Sequence, residues 1–151
     1  MSKFNTRFLA LGDKTEWREL FNGYADFYEV AMNDRIAETV WEWLVDSRHV
    51  MEGLITRDER GQAVGIAHIR ACPRTLGGAE IGFLDDLFVT PSARGTGAAT
   101  AIFEALDDLA AERNWPSIRW LTQHFNKRGR AFYDRYTNGP TDLIVYQWDR
   151  Q

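Results

Sequence analysis

Phe88-Val89-Thr90-Pro91-Ser92-Ala93-Arg94-Gly95-Thr96-Gly97-Ala98-Ala99 is the stretch on which the reading of this chain turns. A hydrophobic run from Ile81 to Val89 enters a Pro-Ser turn, and an apolar helical run leaves it from Ala98 to Ala111. Small residues between a strand and a helix let backbone N–H groups converge on one point, with the positive end of the helix dipole behind them. That arrangement receives phosphate. A dinucleotide fold requires G-x-G-x-x-G after the first strand of a repeated βαβ pattern, and a triphosphate loop requires Gly-Lys-Ser/Thr. Neither pattern is present. The loop therefore points to a phosphate-bearing ligand of another kind.

Upstream, Phe8 to Leu11 reads as a short first strand, and Asp13 or Thr15 as a helix cap. Trp17, Leu20, Phe21, Tyr24, Phe27 and Tyr28 follow the three-four spacing of one helix face. Asn33-Asp34 opens a second helix, and Ile36, Ala37, Val40, Trp41, Leu44 and Val45 continue it. Met51 to Thr56 and Ala63 to Ala71 form a hairpin about a polar connection, and Gly77-Gly78 turns the chain into a third strand, Glu80 to Val89.

Downstream of the loop the helix ends near Asn114. Ile118 to Thr122 reads as a strand, Lys127 to Tyr136 as a short helix, and Leu143 to Trp148 as a last strand. The order is that of one α+β domain over residues 1–151 with a mixed sheet, not a doubly wound one.

A length of 151 residues suffices for one cored domain without metal or disulfide staples. The net charge of −4, without a basic stripe, argues against nucleic acid as the main partner. One cysteine, Cys72, leaves no internal disulfide and fits a reducing compartment. No apolar run approaches the ~18 residues of a membrane span, so the expectation is a cytoplasmic protein with no membrane partner. His49, His68, His124 and Cys72 share no metal-ligand spacing, and no metal site is expected.

The chain resembles the GNAT superfamily of acyl-CoA-dependent N-acetyltransferases. That family's Gln/Arg-x-x-Gly-x-Gly/Ala signature stands here as Arg94-Gly95-Thr96-Gly97-Ala98-Ala99, opening the long helix. A second element, Asn-x-x-x-x-Ala-x-x-Tyr in type, stands as Asn126, Ala131, Phe132 and Tyr133. Within the superfamily the likeness is to the spermidine/spermine (diamine) acetyltransferases. It is carried by Asp85-Asp86-Leu87-Phe88-Val89, by Asn126 through Phe132-Tyr133, and by Tyr24-Ala25-Asp26-Phe27-Tyr28. Three departures stand out: the acidic pair is Asp-Asp where the branch has Glu-Asp, Gly129 replaces a serine, and the segment after Tyr133 lacks the Lys-x-x-Gly ending.

The resemblance implies a mainly antiparallel mixed sheet with splayed central strands and about four flanking helices. It implies acetyl-CoA as acyl donor, with no metal, and a homodimer. Backbone amides of Arg94, Gly95, Thr96, Gly97, Ala98, Ala99 and Thr100 would cradle the pyrophosphate. The edge of Leu87, Phe88 and Val89 would pair with the pantetheine arm, an amide of Leu87 or Phe88 polarising the thioester carbonyl. Asn126 would bind pantetheine or cap the following helix.

Tyr133 would protonate the leaving thiolate, since a phenol is protonated at neutral pH. Asp85 would be the general base, through a bridging water because Asp is shorter than Glu. Asp86, Tyr28 and Glu29 would meet the acceptor, with Tyr24 and Trp41 as further candidate walls. As neighbours on a strand, Asp85 and Asp86 are expected to face opposite sides of the sheet. The expected acceptor is a primary amine of a small molecule, a di- or polyamine or a lysine-like amino acid. A peptide, protein or antibiotic amine, and a non-catalytic acyl-CoA sensor, remain as alternatives.

Overall fold

The computed structural model describes residues 3–151. The chain divides into two compact units, one ending at Trp120 and one spanning Leu121–Gln151.

The first unit is built on a five-stranded sheet in the order β1-β2-β3-β4-β5. Its strands are β1 Asn5–Phe8, β2 Met51–Arg57, β3 Ala63–Arg74, β4 Ala79–Val89 and β5 Ile118–Trp120. The first three pairings are antiparallel and β4–β5 is parallel. The sheet is thus mixed and mainly antiparallel, as expected. Its helices are α1 Lys14–Phe27, α2 Asp34–Val45 and α3 Ala98–Arg113.

Local chemistry sets the boundaries. Asn33 caps α2, its Oδ1 accepting the Ile36 N–H at 2.9 Å. In the β2–β3 connection, Asp58 Oδ1 accepts the N–H groups of Arg60 and Gln62, both at 2.9 Å. Helix α3 stops where Asn114 turns left-handed at φ 58°.

Adjacent strand residues point to opposite faces, and β3 shows what covers each. Ile66 belongs to a core with Trp17, Leu20, Phe21, Ala37, Trp41, Ile55 and Phe88, beneath α1 and α2. Gly65 faces Ile102 of α3 on the other side. Burial of Ile102 and Leu106 stabilises the unit by about 1.5–3 kcal/mol each.

A polar knot ties β1, α1 and β2 together. Asp13, 3% exposed, accepts hydrogen bonds from Arg7 (2.7 and 2.9 Å), from Arg57 (2.8 Å) and from the Ala10 amide (2.8 Å). Arg57 also grips Glu16 at 2.7 and 2.8 Å. The Arg7 guanidinium holds the Asp13 carboxyl far below the usual carboxylate range, against the opposing effect of burial. The sequence offers Asp13 or Thr15 as a helix cap; Asp13 does stand immediately before α1, but its carboxylate makes no cap bond to the helix. Two arginines that are remote along the chain or on another strand claim it instead.

Two strand expectations are corrected. The first strand is Asn5–Phe8 in place of Phe8–Leu11, because the paired register with β2 runs from Asn5↔Arg57 to Phe8↔Leu54, one further bond joins Leu9 N–H to the Gly53 carbonyl, and Leu11–Asp13 coils into a 3-10 turn. Leu143–Trp148 is in no strand, and Leu143, Ile144, Val145, Tyr146 and Trp148 are exposed. Strand-forming composition makes a strand only where a ladder partner completes it.

In the second unit the one helix is α4, Lys127–Asp134. Asn126 caps it, Oδ1 accepting the Gly129 N–H at 3.2 Å and Nδ2 donating to Thr122 Oγ1 at 3.1 Å. A Cβ at position 129 would lie 2.5 Å from Asn126 Nδ2. The cap therefore explains why glycine stands there.

Candidate active site

Strand β4 departs from regular pairing at one point. His68 lies opposite Asp86 and Ile69 opposite Leu84, so Asp85 is an extra residue in a β-bulge. A bulge re-aims side chains and breaks the alternation on which the opposite-face expectation rests. His68 and Arg70, two apart on β3, share a face. Each takes one carboxylate: Arg70 Nε donates to Asp85 Oδ2 at 2.8 Å, and His68 Nδ1 lies 2.7 Å from Asp86 Oδ2. Both carboxylates therefore lie on the α1 face, and the opposite-face expectation is corrected.

The two acids are held differently. Burial pushes Asp85 above the usual carboxylate range, with Arg70 opposing it and the Asp86 charge adding to it. Asp86 feels a burial penalty as its largest influence, but hydrogen bonds from His68 and Tyr24 outweigh it and leave the group below its ordinary value. Two carboxylates against one guanidinium leave the patch negative. Aromatic rings border it: Tyr24 packs 4.9 Å from Tyr28 and 6.3 Å from Phe88, and the Arg70 guanidinium sits 4.5 Å over Phe83.

Beyond Leu84 the sheet offers β4 no neighbour on its outer side, since β5 pairs only with Gly82, Phe83 and Leu84. Among the described residues, the outer backbone edge of Leu87, Phe88 and Val89 is therefore without a strand partner, while their inner edge pairs with β3. Phe88 and Val89 bury their side chains in the core, leaving only backbone for ligand contact.

After β4 a single 3-10 turn, Pro91–Ala93, leads to Gly95 at φ 76° and Gly97 at φ 102°. Both are left-handed conformations that a side chain would strain. Gly97 is the residue before α3, and no side chain caps the helix. The first N–H groups of Ala98, Ala99 and Thr100 thus lack intrahelical acceptors and face outward with the dipole. Beside them lies an open depression of about 320 Å3 lined by Lys3, Phe4, Thr96, Gly97, Thr100, Ala101 and Glu104. The Arg94 side chain folds back, Nε donating to the Val89 carbonyl at 3.2 Å and its guanidinium lying over Phe27 and Phe88. Its backbone remains at the turn.

Tyr28 is half-buried at the end of α1, and Glu29 follows it, exposed, at φ 57°. Trp41 is 5% exposed and packs 5.0 Å from Trp17, which makes it core and not an acceptor wall. Tyr133, in the second unit, is half-buried on α4 with its ring edge-on to Phe132. Among the described residues no group of three His, Cys, Asp or Glu could hold a metal ion, and no helix is long and apolar enough to cross a membrane.

Sequence reasoning missed His68, Arg70 and Lys3. Two polar residues spaced by two in the apolar run Val64–Ala71 are the signal that marks His68 and Arg70 as sharing one face. Lys3 carries no local pattern.

The sequence pattern of the Acetyltransferase (GNAT) family matches residues 17–137, across both units. D-amino-acid N-acetyltransferase HPA3 of Saccharomyces cerevisiae is 28% identical over 136 residues, 89% of this chain and 84% of that protein. Among solved structures, the ribosomal-protein-alanine N-acetyltransferase of Brucella melitensis biovar Abortus 2308 is similar at TM-score 0.80 and 26% identity, covering 97% of this chain and 99% of that one. The aminoglycoside enzyme AAC(6')-Iy, solved with a bisubstrate analogue of CoA, superimposes at TM-score 0.84 and 18% identity over 99% of this chain and all of that one, a likeness of fold. The family match over most of the chain, on a sheet whose β4 runs past its β5 partner into a glycine turn, shows that this protein belongs to the GNAT family of acetyltransferases, which move an acetyl group from acetyl-CoA to an amine.

Proposed function

We propose that residues 1–151 act as one N-acetyltransferase domain on a primary amine of a small molecule, a di- or polyamine or a lysine-like amino acid, by direct transfer in a ternary complex. The observation that carries this reading is the bulge that brings Asp85 and Asp86 to one face beside Tyr24 and Tyr28. A net negative, aromatic-bordered patch recruits an alkylammonium group.

In this reading the loop from Arg94 to Thr100 holds the CoA pyrophosphate, and Lys3 adds positive charge at the same depression. The open edge of Leu87–Val89 pairs with the pantetheine arm, and Asn126 supports it from the start of α4. Asp86 anchors the ammonium, with Tyr28 and Glu29 as further acceptor contacts. Asp85 takes one proton from the ammonium through water, and its raised pKa brings it nearer the working pH of a general base. The freed nitrogen attacks the thioester carbonyl, the oxyanion accepts an N–H from Leu87 or Phe88, and the C–S bond breaks. Tyr133 protonates the departing sulfur, and the second proton that the attacking nitrogen sheds as the amide forms returns through water to the Tyr133 phenolate. Cytoplasmic location and a homodimer complete the reading.

A second acceptor class has its own support. Arg70, already beside Asp85, is a guanidinium fit to take a substrate carboxylate, and one relative is named for D-amino acids. Acetyl-CoA-dependent thiol release over spermidine, lysine, D-amino acids, aminoglycosides and short peptides tests both. Highest kcat/KM with diamines or lysine supports the first reading, and highest kcat/KM with D-amino acids lacking a second amine selects the other. Tight acetyl-CoA binding with no turnover on any amine would favour a sensor.

A further inference from the structure

The interior of the first unit contains a hydrogen-bonded chain that begins in the core and ends at Asp86. Trp17 Nε1 donates to His68 Nε2 at 3.0 Å, and His68 Nδ1 meets Asp86 Oδ2 at 2.7 Å. Indole N–H is a donor only, so Nε2 of His68 carries a lone pair. The ring proton therefore sits on Nδ1 and is donated to the carboxylate. A second proton on Nε2 would oppose the Trp17 N–H and place a full charge on a ring that is 1% exposed. Phe21, 5.3 Å away edge-on, and Trp17, at 6.1 Å, hold the plane of the ring.

We infer that His68 is a positioning residue for acceptor recognition: locked by Trp17 as its Nδ1–H tautomer, it keeps the Asp86 carboxylate ionised and oriented toward the acceptor's ammonium group. The inference rests on the reading of Asp86 as the ammonium anchor. A core histidine serving packing alone has no need to direct a short, charge-assisted hydrogen bond at a carboxylate whose side chain is 25% exposed. Here one ring nitrogen is satisfied inside the core and the other is aimed at the patch. Tyr24 from α1 supplies a second hydrogen bond to Asp86, so the carboxylate is fixed from both packed elements. Arg70 is engaged by Asp85, which leaves His68 as the β3 partner of Asp86.

The experiment is a double-mutant cycle on amine kcat/KM with His68→Phe, Asp86→Asn and the pair, with KM for acetyl-CoA followed in parallel. Each single variant is expected to raise the amine KM about ten- to hundredfold. The acetyl-CoA KM stays at its wild-type value, and the pair loses no more than Asp86→Asn alone. Independent, additive losses overturn the positioning role. An unchanged amine KM in Asp86→Asn overturns the anchor reading itself and is seen before His68 is touched. His68→Asn returns an amide N–H to the position of Nδ1–H and recovers most of the affinity; a variant no better than His68→Phe counts against the proposal. Should His68→Phe fail to fold, nitrogen-15 spectra of the wild-type histidine decide. A protonated Nδ1 with bare Nε2 supports the assignment, and a proton on Nε2 overturns it.

Discussion

Arg70 Nε donates to Asp85 Oδ2 across the β3–β4 pairing at 2.8 Å, at the bulge where Asp85 has no β3 residue opposite it. The pairing opposes the upward push that burial gives Asp85. Removing it therefore has a signed consequence. Asp85 acts as a base only when ionised, so activity climbs as pH rises through its pKa. In Arg70→Gln that pKa moves higher, and the acidic limb of kcat/KM for one fixed amine shifts to higher pH than in wild type. A pH–rate profile checks this, and a shift to lower pH would contradict it.

Asp85→Asn removes the proton acceptor while keeping the side-chain volume. Turnover is expected to fall by about two to four orders of magnitude, with acetyl-CoA affinity retained. Steady-state kinetics beside calorimetry separate the two effects. An undiminished kcat would remove Asp85 from the role of base.

Tyr133→Phe deletes one hydroxyl from α4. If that hydroxyl protonates the leaving sulfur, kcat drops by about one to three orders of magnitude and acetyl-CoA binding is unaltered. An aryl thioester, whose leaving thiolate is a weaker base, should show a smaller loss.

Gly97→Val places a β-branched residue at φ 102°, immediately before α3. The backbone must leave that conformation, and the amide cradle is distorted. Acetyl-CoA affinity measured by calorimetry should weaken at least about tenfold, from the roughly 1–3 kcal/mol of strain. Full affinity would count against this loop as the phosphate site.

Asp13→Asn strips the charge from the knot that joins Arg7, Arg57 and the Ala10 amide. The expected cost is about 2–4 kcal/mol, reduced toward the lower end because Arg7 is 44% exposed and screened. Asp13 has a depressed folded-state pKa, so its contribution is complete above the unfolded value of about 4. It is lost as pH falls below that value toward the folded one. Urea denaturation at a series of pH values should therefore show a flatter acid decline in Asp13→Asn than in wild type.

Local information is what the sequence could state alone. Helices α1, α2 and α3 follow from three-four spacing, and the Asn33 and Asn126 caps from chemistry within three residues. The turn at Gly95 and Gly97 belongs to the same class, because a positive φ is a property of one residue and its neighbours. Pairing across strands is not local. The bulge at Asp85, the partners His68 and Arg70, and Trp17 at the far end of the hydrogen-bonded chain join residues up to 51 positions apart. The end of β1 and the absence of a strand at Leu143–Trp148 depend likewise on where a ladder finds a partner. Sequence alone thus determined that this chain carries a phosphate-receiving turn between a strand and a helix. Tertiary structure decided which face the two carboxylates share and how each is held, because a one-residue change in register re-aims a side chain that alternation alone would place on the other side of the sheet.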